Sequence, residues 1–196
     1  MNSESNKKVI PVDPLAFLTE EEKAVVGNLN SVKEFKKGDV LLKEGQHCKG
    51  SHHVVTGVVR QFRIVDGEEK TSEFYTEDQS IFSTVSAFSI GPSKFSLDCL
   101  EACTISIVPF GKEKEIYAQF PRFEKMCRIA SEKQLIKYQE KFALYISSSP
   151  EQRYLNLLES DPGLINRVPQ YHLASYLGVK PESLSRIRKR ITVKQA

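Results

Sequence analysis

A stretch of 25 residues without glycine or proline, from Arg122 to Ile146, constrains the fold of this chain more than any other feature. It predicts a single helix about 37 Å long, at 1.5 Å per residue. Its apolar residues form a broad stripe that Lys133 and Lys137 interrupt: Phe123, Met126, Cys127, Ile129, Ala130, Leu135 and Ile136. We expect one flank to pack on the rest of the chain and the other to pair with a second copy. The alternative, a helix that only covers its own domain, stays open.

Residues 32–110 have a different texture, with short runs rich in Val, Ile, Thr, Phe and Tyr that partly alternate with polar residues. Such runs predict a series of short strands, and many short strands at this spacing indicate a sandwich or barrel. The Asp-Gly pair in "VDGEE" predicts a type I′ hairpin turn. Four glycines fall where the chain must reverse: Gly38, Gly45, Gly57 and Gly67. Cys99 and Cys103, four apart in an apolar run, are expected on one strand, facing the core together.

The stretch "HLASYLGVKPESLSRIRKR" predicts two short helices joined by a tight turn at Gly178. The first helix has Leu173, Ala174 and Leu177 on one face, and the small Ala174 permits close approach of the second. Pro181 opens the second helix, whose buried face is predicted from the three- and four-residue spacing of Leu184, Ile187 and Ile191. Its other face is polar and basic: Glu182, Ser183, Arg186, Lys189 and Arg190. This is the pattern of a helix-turn-helix, whose second helix fits the DNA major groove.

Charge is distributed unevenly along the chain, although the total is only +3. Residues 167–196 contain seven Lys or Arg against Glu182 alone, a net charge of +6, so the other 166 residues carry −3. A basic end on a slightly acidic body favours an anionic partner for that end, here double-stranded DNA. The polar N-terminus has no apolar core, and no run of about 18 apolar residues suggests a membrane span, so a cytoplasmic protein without a membrane partner is expected.

The chain resembles the CRP/FNR family of bacterial transcription regulators in "LASYLGVKPESLSRIRKR" and, upstream, in "FKKGDVLLKEGQ" and "VVTGVVRQFRI". The resemblance covers roughly residues 15–191. It implies a β-roll, then a long dimerisation helix, then the helix-turn-helix. It also implies that Glu182, Ser183 and Arg186 lie where the family reads base edges. The basic residues that it implies nearer the DNA backbone are Arg188, Lys189 and Arg190.

Pattern and resemblance together predict an α+β chain in three parts. Residues 1–121 are expected to form an antiparallel β-roll, jelly-roll-like and similar to cyclic-nucleotide-binding domains. In that part, a helix should begin at Thr19, three residues before Glu22 in a capping box. Residues 122–146 are the predicted dimerisation helix. Residues 147–196 are the predicted DNA-binding domain, after a hinge at 147–149.

The stretch "SIFSTVSAFSIGPSKFSLD" departs from the nucleotide-binding pattern that the resemblance implies. Ser83 and Thr84 fall where cyclic-nucleotide sensors have a Gly-Glu pair near the ribose, and Lys94 and Phe95 fall at the arginine that grips the phosphate and the hydroxyl residue after it. Thr84 therefore lacks the carboxylate that would bind near the ribose, Lys94 lacks the two-pronged guanidinium of arginine, and Phe95 lacks the hydroxyl. Tight binding of cyclic AMP is therefore not expected. Ser83 and Lys94 could still meet another small anion, and a roll without ligand is the alternative.

Other chemistries find less support in the sequence. His47, Cys48, His52 and His53 are possible soft ligands for a metal ion. His52 and His53 are adjacent, however, and on a strand adjacent side chains point to opposite faces, so the four cannot all converge on one ion. Neither a metal nor a cofactor is expected. No cysteine precedes Cys48, which argues against the N-terminal iron–sulfur cluster of some family members. No catalytic constellation indicates an enzyme. The remaining alternative is a ligand-binding or interaction module that does not bind DNA, because the chain stops at Ala196 without the β-hairpin wing that often follows the recognition helix.

Overall fold

The structure, a computed structural model, describes residues 19–81 and 91–195, which form eight strands flanked by helices. The strands are β1 (Ser31–Phe35), β2 (Val40–Leu42), β3 (Gly50–Thr56), β4 (Val59–Val65), β5 (Glu68–Tyr75), β6 (Gln79–Ile81), β7 (Ser96–Cys99) and β8 (Cys103–Pro109). The helices are α1 (Glu20–Leu29), α2 (Lys112–Gln119), α3 (Pro121–Ser147), α4 (Pro150–Ser160), α5 (Leu164–Arg167), α6 (Gln170–Leu177) and α7 (Pro181–Gln195). Among the described residues no helix is both long and apolar enough to span a membrane.

The strands form two four-stranded antiparallel sheets, in the orders β1-β8-β3-β6 and β2-β7-β4-β5. This arrangement confirms the predicted antiparallel β-roll with helices after it. The β4–β5 hairpin turns at Asp66 and Gly67, whose φ angles of 54° and 79° are the two positive values that a type I′ turn requires. The predicted hairpin turn is therefore confirmed.

A core of apolar side chains lies between the two sheets. Val54, Leu97 and Ile105 are fully buried there, with Cys99 and Cys103 beside them. The prediction that both cysteines lie on one strand is wrong. Cys99 ends β7 in one sheet and Cys103 begins β8 in the other, because the chain turns at residues 100–102. Both are free thiols that fill the core.

The first helix and the long helix form where the sequence predicts them. Thr19 accepts a hydrogen bond from the backbone N–H of Glu22, whose carboxylate accepts one from the Thr19 N–H, which confirms the capping box. The Glu22 carboxylate also pairs with Arg122, tying α1 to the start of α3. Helix α3 has 27 residues, about 40 Å.

The apolar stripe of α3 is only partly described, because the side chains of Phe123, Met126 and Ala130 lie outside the described set. Cys127 and Ile129 are half-buried, whereas Leu135 and Ile136 are exposed. Further along the helix, three more large apolar side chains are exposed: Phe142, Leu144 and Ile146. The second half of α3 therefore presents an uncovered apolar surface.

The C-terminal helices share a second core, formed by Leu157, Leu173, Leu184 and other buried residues. This core is continuous with residues of the β-roll, because Val58, Phe74 and Leu100 belong to the same cluster. Ser148 is extended between α3 and α4, and Ser149 caps α4 by accepting from the Gln152 N–H. The backbone thus leaves helical geometry within the residues predicted as a hinge.

Candidate nucleic-acid interface

The turn between α6 and α7 is closed by backbone hydrogen bonds around Gly178. This residue is left-handed, with φ 71° and ψ 33°. Its N–H donates to the Ser175 carbonyl, and the Val179 N–H donates to the Ala174 carbonyl at 2.9 Å. The pair of bonds is a Schellman motif, which satisfies carbonyls at a helix end and favours glycine in the left-handed position. The predicted glycine turn is confirmed.

Helix α7 is amphipathic, with a buried face against α6. Leu184 is fully buried, and Ile187 and Ile191 are nearly so, as their spacing predicts. Ala174 of α6 is also fully buried, which allows the close approach of the two helices. The apolar face therefore fixes which side of α7 points away from the protein.

The outward side of α7 brings several predicted DNA-contacting residues together. Glu182, Arg186 and Lys189 are exposed and Ser183 is half-buried. Arg186 Nη2 donates to Ser183 Oγ at 3.3 Å. An open concavity of about 320 Å³ lies along this side and is lined by Arg186, Lys189, Arg190 and Val193. Exposed cations beside short polar side chains can meet phosphates and base edges.

The other two predicted DNA-contacting residues, Arg188 and Arg190, lie in different environments. Arg188 is half-buried, whereas Arg190 is exposed and pairs with Glu151 of α4 at 3.3 Å between Nη1 and Oε2. Glu151 is half-buried, but the Arg190 side chain is open to solvent, and ion pairs open to solvent contribute little stability, roughly 0–1 kcal/mol. The Arg190 guanidinium can therefore exchange its carboxylate for a phosphate at low cost.

Arg153 of α4 is a residue that the sequence analysis did not single out. Its Nη1 donates to the Leu177 carbonyl at 2.7 Å and its Nε to the Ser148 carbonyl at 3.2 Å. Its guanidinium stacks over the Tyr145 ring, with Cζ 4.1 Å from the ring centroid. Arg153 thus connects the helix-turn-helix turn to the end of α3. The only sequence signal is one arginine in an ordinary amphipathic helix.

The residues predicted for an effector pocket are partly described. Ser83 and Thr84 lie outside the described residues. Lys94 is exposed just before β7, and the neighbouring Phe95 packs against the core of the β-roll. The side chains of Lys94 and Phe95 therefore occupy different environments, one in solvent and one against the apolar interior.

The histidine and cysteine residues of "HCKGSHH" form separate contacts. His52 is buried, and burial lowers the pKa of its imidazole. His53 Nδ1 lies 3.1 Å from Ser80 Oγ, and Cys48 Sγ donates to the Gly50 carbonyl at 3.0 Å. Within residues 19–81 and 91–195, no group of three or more His, Cys, Asp or Glu side chains is placed to hold a metal ion.

Comparison with known proteins gives matches to both halves of the chain. A family model described as a cyclic nucleotide-binding domain matches residues 32–120. The chain is 21% identical over 186 residues to the transcriptional activator protein anr of Pseudomonas aeruginosa, covering 89% of this chain and 75% of anr.

Solved structures extend the similarity to the whole fold. The c-di-GMP responsive global regulator CLP of Xanthomonas campestris aligns with a TM-score of 0.72 at 12% identity, over 90% of this chain and 93% of CLP. A protein of Eubacterium rectale assigned to the crp/fnr family of transcriptional regulators aligns with a TM-score of 0.68 at 16% identity, over 92% and 87%.

Proposed function

We propose that the chain is a dimeric DNA-binding transcriptional regulator of the CRP/FNR type, because a family model described as a cyclic nucleotide-binding domain matches residues 32–120 and the fold aligns with that of a crp/fnr-family regulator. Proteins of this type are transcription regulators and not enzymes. We assign residues 1–121 to a sensor, 122–146 to dimerisation and 147–196 to DNA binding in the cytoplasm.

One observation carries the DNA-binding proposal: α7 is anchored by Leu184, Ile187 and Ile191, so that Arg186 and Lys189 face solvent. A helix held in this way can enter the major groove with its N-terminal half. Arg186 lies about one turn into the helix and would pair with the two acceptors of a guanine edge. Lys189, nearly one turn further, would hold a phosphate. Glu182 and Ser183 flank Arg186 and complete the base-reading group.

The proposal is tested by fluorescence anisotropy with duplex DNA enriched from a random library, and with random duplex, at several salt concentrations. Arg186→Ala is expected to cost about 1–3 kcal/mol on the enriched duplex and to flatten preference at one base position. Lys189→Ala should weaken binding to both duplexes alike and reduce the salt slope by about one.

The matched control for these variants is Lys43→Ala, because Lys43 is an exposed cation on the β-roll, far from α7 in the chain. This control should leave the salt slope unchanged. Unchanged sequence preference in Arg186→Ala contradicts the base-reading role. A wild-type protein that binds no duplex at low salt contradicts DNA binding altogether and leaves the interaction-module alternative.

The dimer proposal is supported by the second half of α3. Leu135, Phe142 and Ile146 are spaced by seven and four residues, so they lie along one side of the helix. Their exposed fractions are 58%, 66% and 68%. In a monomer this apolar stripe would remain in water, and a second copy of α3 would cover it.

We further propose that the roll does not bind cyclic AMP tightly, although it could accept another small anion. Lys94 is exposed and Phe95 is directed to the core, so neither supplies the bidentate grip or the hydroxyl that a cyclic phosphate requires. Each charge-assisted hydrogen bond lost costs about 1.5 to 3 kcal/mol. Two such losses weaken binding by roughly 150-fold to 20,000-fold.

A further inference from the structure

The helix-turn-helix and the β-roll are joined by a set of polar contacts that none of the sequence motifs predicts. Arg167, at the end of α5, lies between two carboxylates of the roll. Its Nη1 and Nη2 donate to Glu77 at 2.9 and 2.6 Å, and its Nε donates to Glu101 at 3.1 Å. Glu77 also accepts the N–H of Gly57, and the adjacent guanidinium lowers the pKa of the Glu77 carboxyl to about 2. Arg167 therefore bridges two acidic residues that face the DNA-binding helices and offsets the charge of one of them.

A second arginine makes the reciprocal contact from the roll. Arg60 of β4 is only 2% exposed, and it donates to both carboxylate oxygens of Asp98 and to Glu69. Its Nη1 lies 2.6 Å from Nδ1 of His172 in α6. A guanidinium can only donate, so the imidazole must present an unprotonated Nδ1 as acceptor. The charged groups facing His172 are Arg60 from β4, Glu69 from β5 and Asp98 from β7. The ring of Tyr171, on the same helix, lies 4.0 Å from the His172 ring and is tilted by 51°.

A third contact closes an open edge of the sheet. Strand β5 is at the end of the order β2-β7-β4-β5, so within residues 19–81 and 91–195 no strand lies beside its outer backbone groups. The hydroxyl of Ser175 in α6 forms hydrogen bonds with backbone groups on this outer edge. Its Oγ accepts from the Thr71 N–H at 2.9 Å and donates to the Glu69 carbonyl at 3.2 Å. The side chain thus makes the two bonds that a neighbouring strand would make.

We propose that these three contacts form a latch, made by Arg167, Arg60–His172 and Ser175, which holds the helix-turn-helix on the β5 side of the roll. Apolar packing supports the same arrangement, because Val58, Phe74 and Leu100 of the roll share one core with the C-terminal helices. The latched state leaves Arg186 and Lys189 exposed. We assign this latched state as the DNA-reading state, in which the β-roll acts as a rigid support for α7.

The first test measures amide hydrogen exchange of the intact protein, which does not depend on DNA. Arg167→Gln should speed exchange of β5 and α6 at least about tenfold, because it removes charge-assisted bonds between α5 and the roll and a latch couples these bonds to the docking of α6 on the sheet edge. The matched control is Arg128→Gln, which removes the exposed pair of Arg128 with Glu132 on α3 and should change neither segment. Strands β1 and β8 should keep their protection in both variants.

A milder variant keeps this test informative if Arg167→Gln does not fold. Glu101→Gln retains the bonds between Arg167 and Glu77 and should give an intermediate acceleration in β5 and α6. If Arg167→Gln folds and exchange at β5 is unchanged, the latch is overturned, because the arginine contact then acts independently of the Ser175 contact. If Arg167→Gln does not fold, unchanged exchange at β5 in Glu101→Gln overturns it for the same reason.

The second test concerns DNA and rests on the proposed function. The probe is a duplex of about 30 base pairs enriched from a random library by the wild-type protein, a length that spans two half-sites one helical turn apart. Arg167→Gln should bind it at least about tenfold more weakly and bind random duplex as well as wild type does, since only orientation is lost. Tighter or unchanged binding to the enriched duplex would overturn the assignment of the latched state as the DNA-reading state. If the wild type enriches no duplex, the proposed function fails while the exchange test still decides the latch.

Discussion

The turn of the helix-turn-helix requires glycine at position 178 for two separate reasons, and the variant Gly178→Ala tests both. The first demand is the left-handed backbone, with φ 71°. The second is space, because a Cβ at this position would lie 2.5 Å from the hydroxyl oxygen of Tyr145 and 3.1 Å from Nη1 of Arg153. Gly67 makes only the first demand: its φ is 79° and nothing lies within 4 Å of the place that a Cβ would occupy. Gly67→Ala is therefore the matched control.

The two substitutions should differ by a magnitude that follows from these contacts. A left-handed residue with a Cβ costs about 1–2 kcal/mol, and both variants incur this cost. Gly178→Ala must also displace Tyr145, which loses a cation–π contact with Arg153 of about 0.5–1 kcal/mol. If Arg153 also leaves the Leu177 carbonyl, a further 1.5–3 kcal/mol or so is lost. We expect Gly178→Ala to lose at least about 1 kcal/mol more than Gly67→Ala, or roughly 2–4 °C more in Tm.

The measurement is urea denaturation followed by far-ultraviolet circular dichroism, with the variant Gly178→Ala/Tyr145→Phe as the decisive addition. Removing the Tyr145 hydroxyl removes the nearest atom, and the next ring atom lies at an ordinary 3.6 Å. The double variant should therefore recover part of the loss, after correction for Tyr145→Phe alone. Equal losses in Gly178→Ala and Gly67→Ala, or no recovery in the double variant, would refute the argument that close packing requires this glycine.

Three further outcomes are expected for variants, and one for the wild type. Phe142→Glu should convert the proposed dimer to a monomer in sedimentation at micromolar concentration, because a charge would enter the apolar stripe of α3, and a variant that stays dimeric contradicts that interface. Leu184→Ala should destabilise the protein by about 2–5 kcal/mol in urea denaturation, since its side chain is fully buried. His172→Gln should reduce the pH dependence of stability: burial and then Arg60 lower the His172 pKa from 6.5 to about 4, so the wild type loses up to about 2 kcal/mol between pH 7 and pH 5 that the variant keeps. An identical slope in both proteins would exclude His172 as its source. Titration calorimetry of the wild type should detect no low-micromolar binding of cyclic AMP, and a dissociation constant in that range would disprove the proposed loss of the nucleotide grip.

Much of the fold was predictable because the relevant interactions span only a few residues. The Thr19–Glu22 capping box, the Asp66–Gly67 turn and the Gly178 turn each depend on local dihedral angles and hydrogen bonds. The spacing of Leu184 and Ile187 likewise reports the 3.6-residue period of one helix. These features can be derived from a short window of sequence, and the structure confirms them.

Predictions based on one short window failed where the chain turned unexpectedly. Cys99 and Cys103 have the four-residue spacing of a shared strand face, yet a turn at residues 100–102 sends them into different sheets. Their burial was predicted correctly, because it depends on the apolar residues around them and not on where the strand ends. Their placement was not, because apolar spacing alone does not show where a strand ends.

The candidate site also has a part that local sequence predicts and a part that depends on long-range packing. The sequence by itself determined the outward-facing group on α7, with Arg186 and Lys189 opposite an apolar face. Only the tertiary structure decided what orients that helix: Arg153 reaches Leu177, and Arg60 meets His172 across 112 positions of sequence. Such pairs leave no periodic signal, because their partners come together only when two sheets and a helical domain have packed. Local periodicity selects the elements, whereas long-range packing selects which polar groups must pair once they are buried.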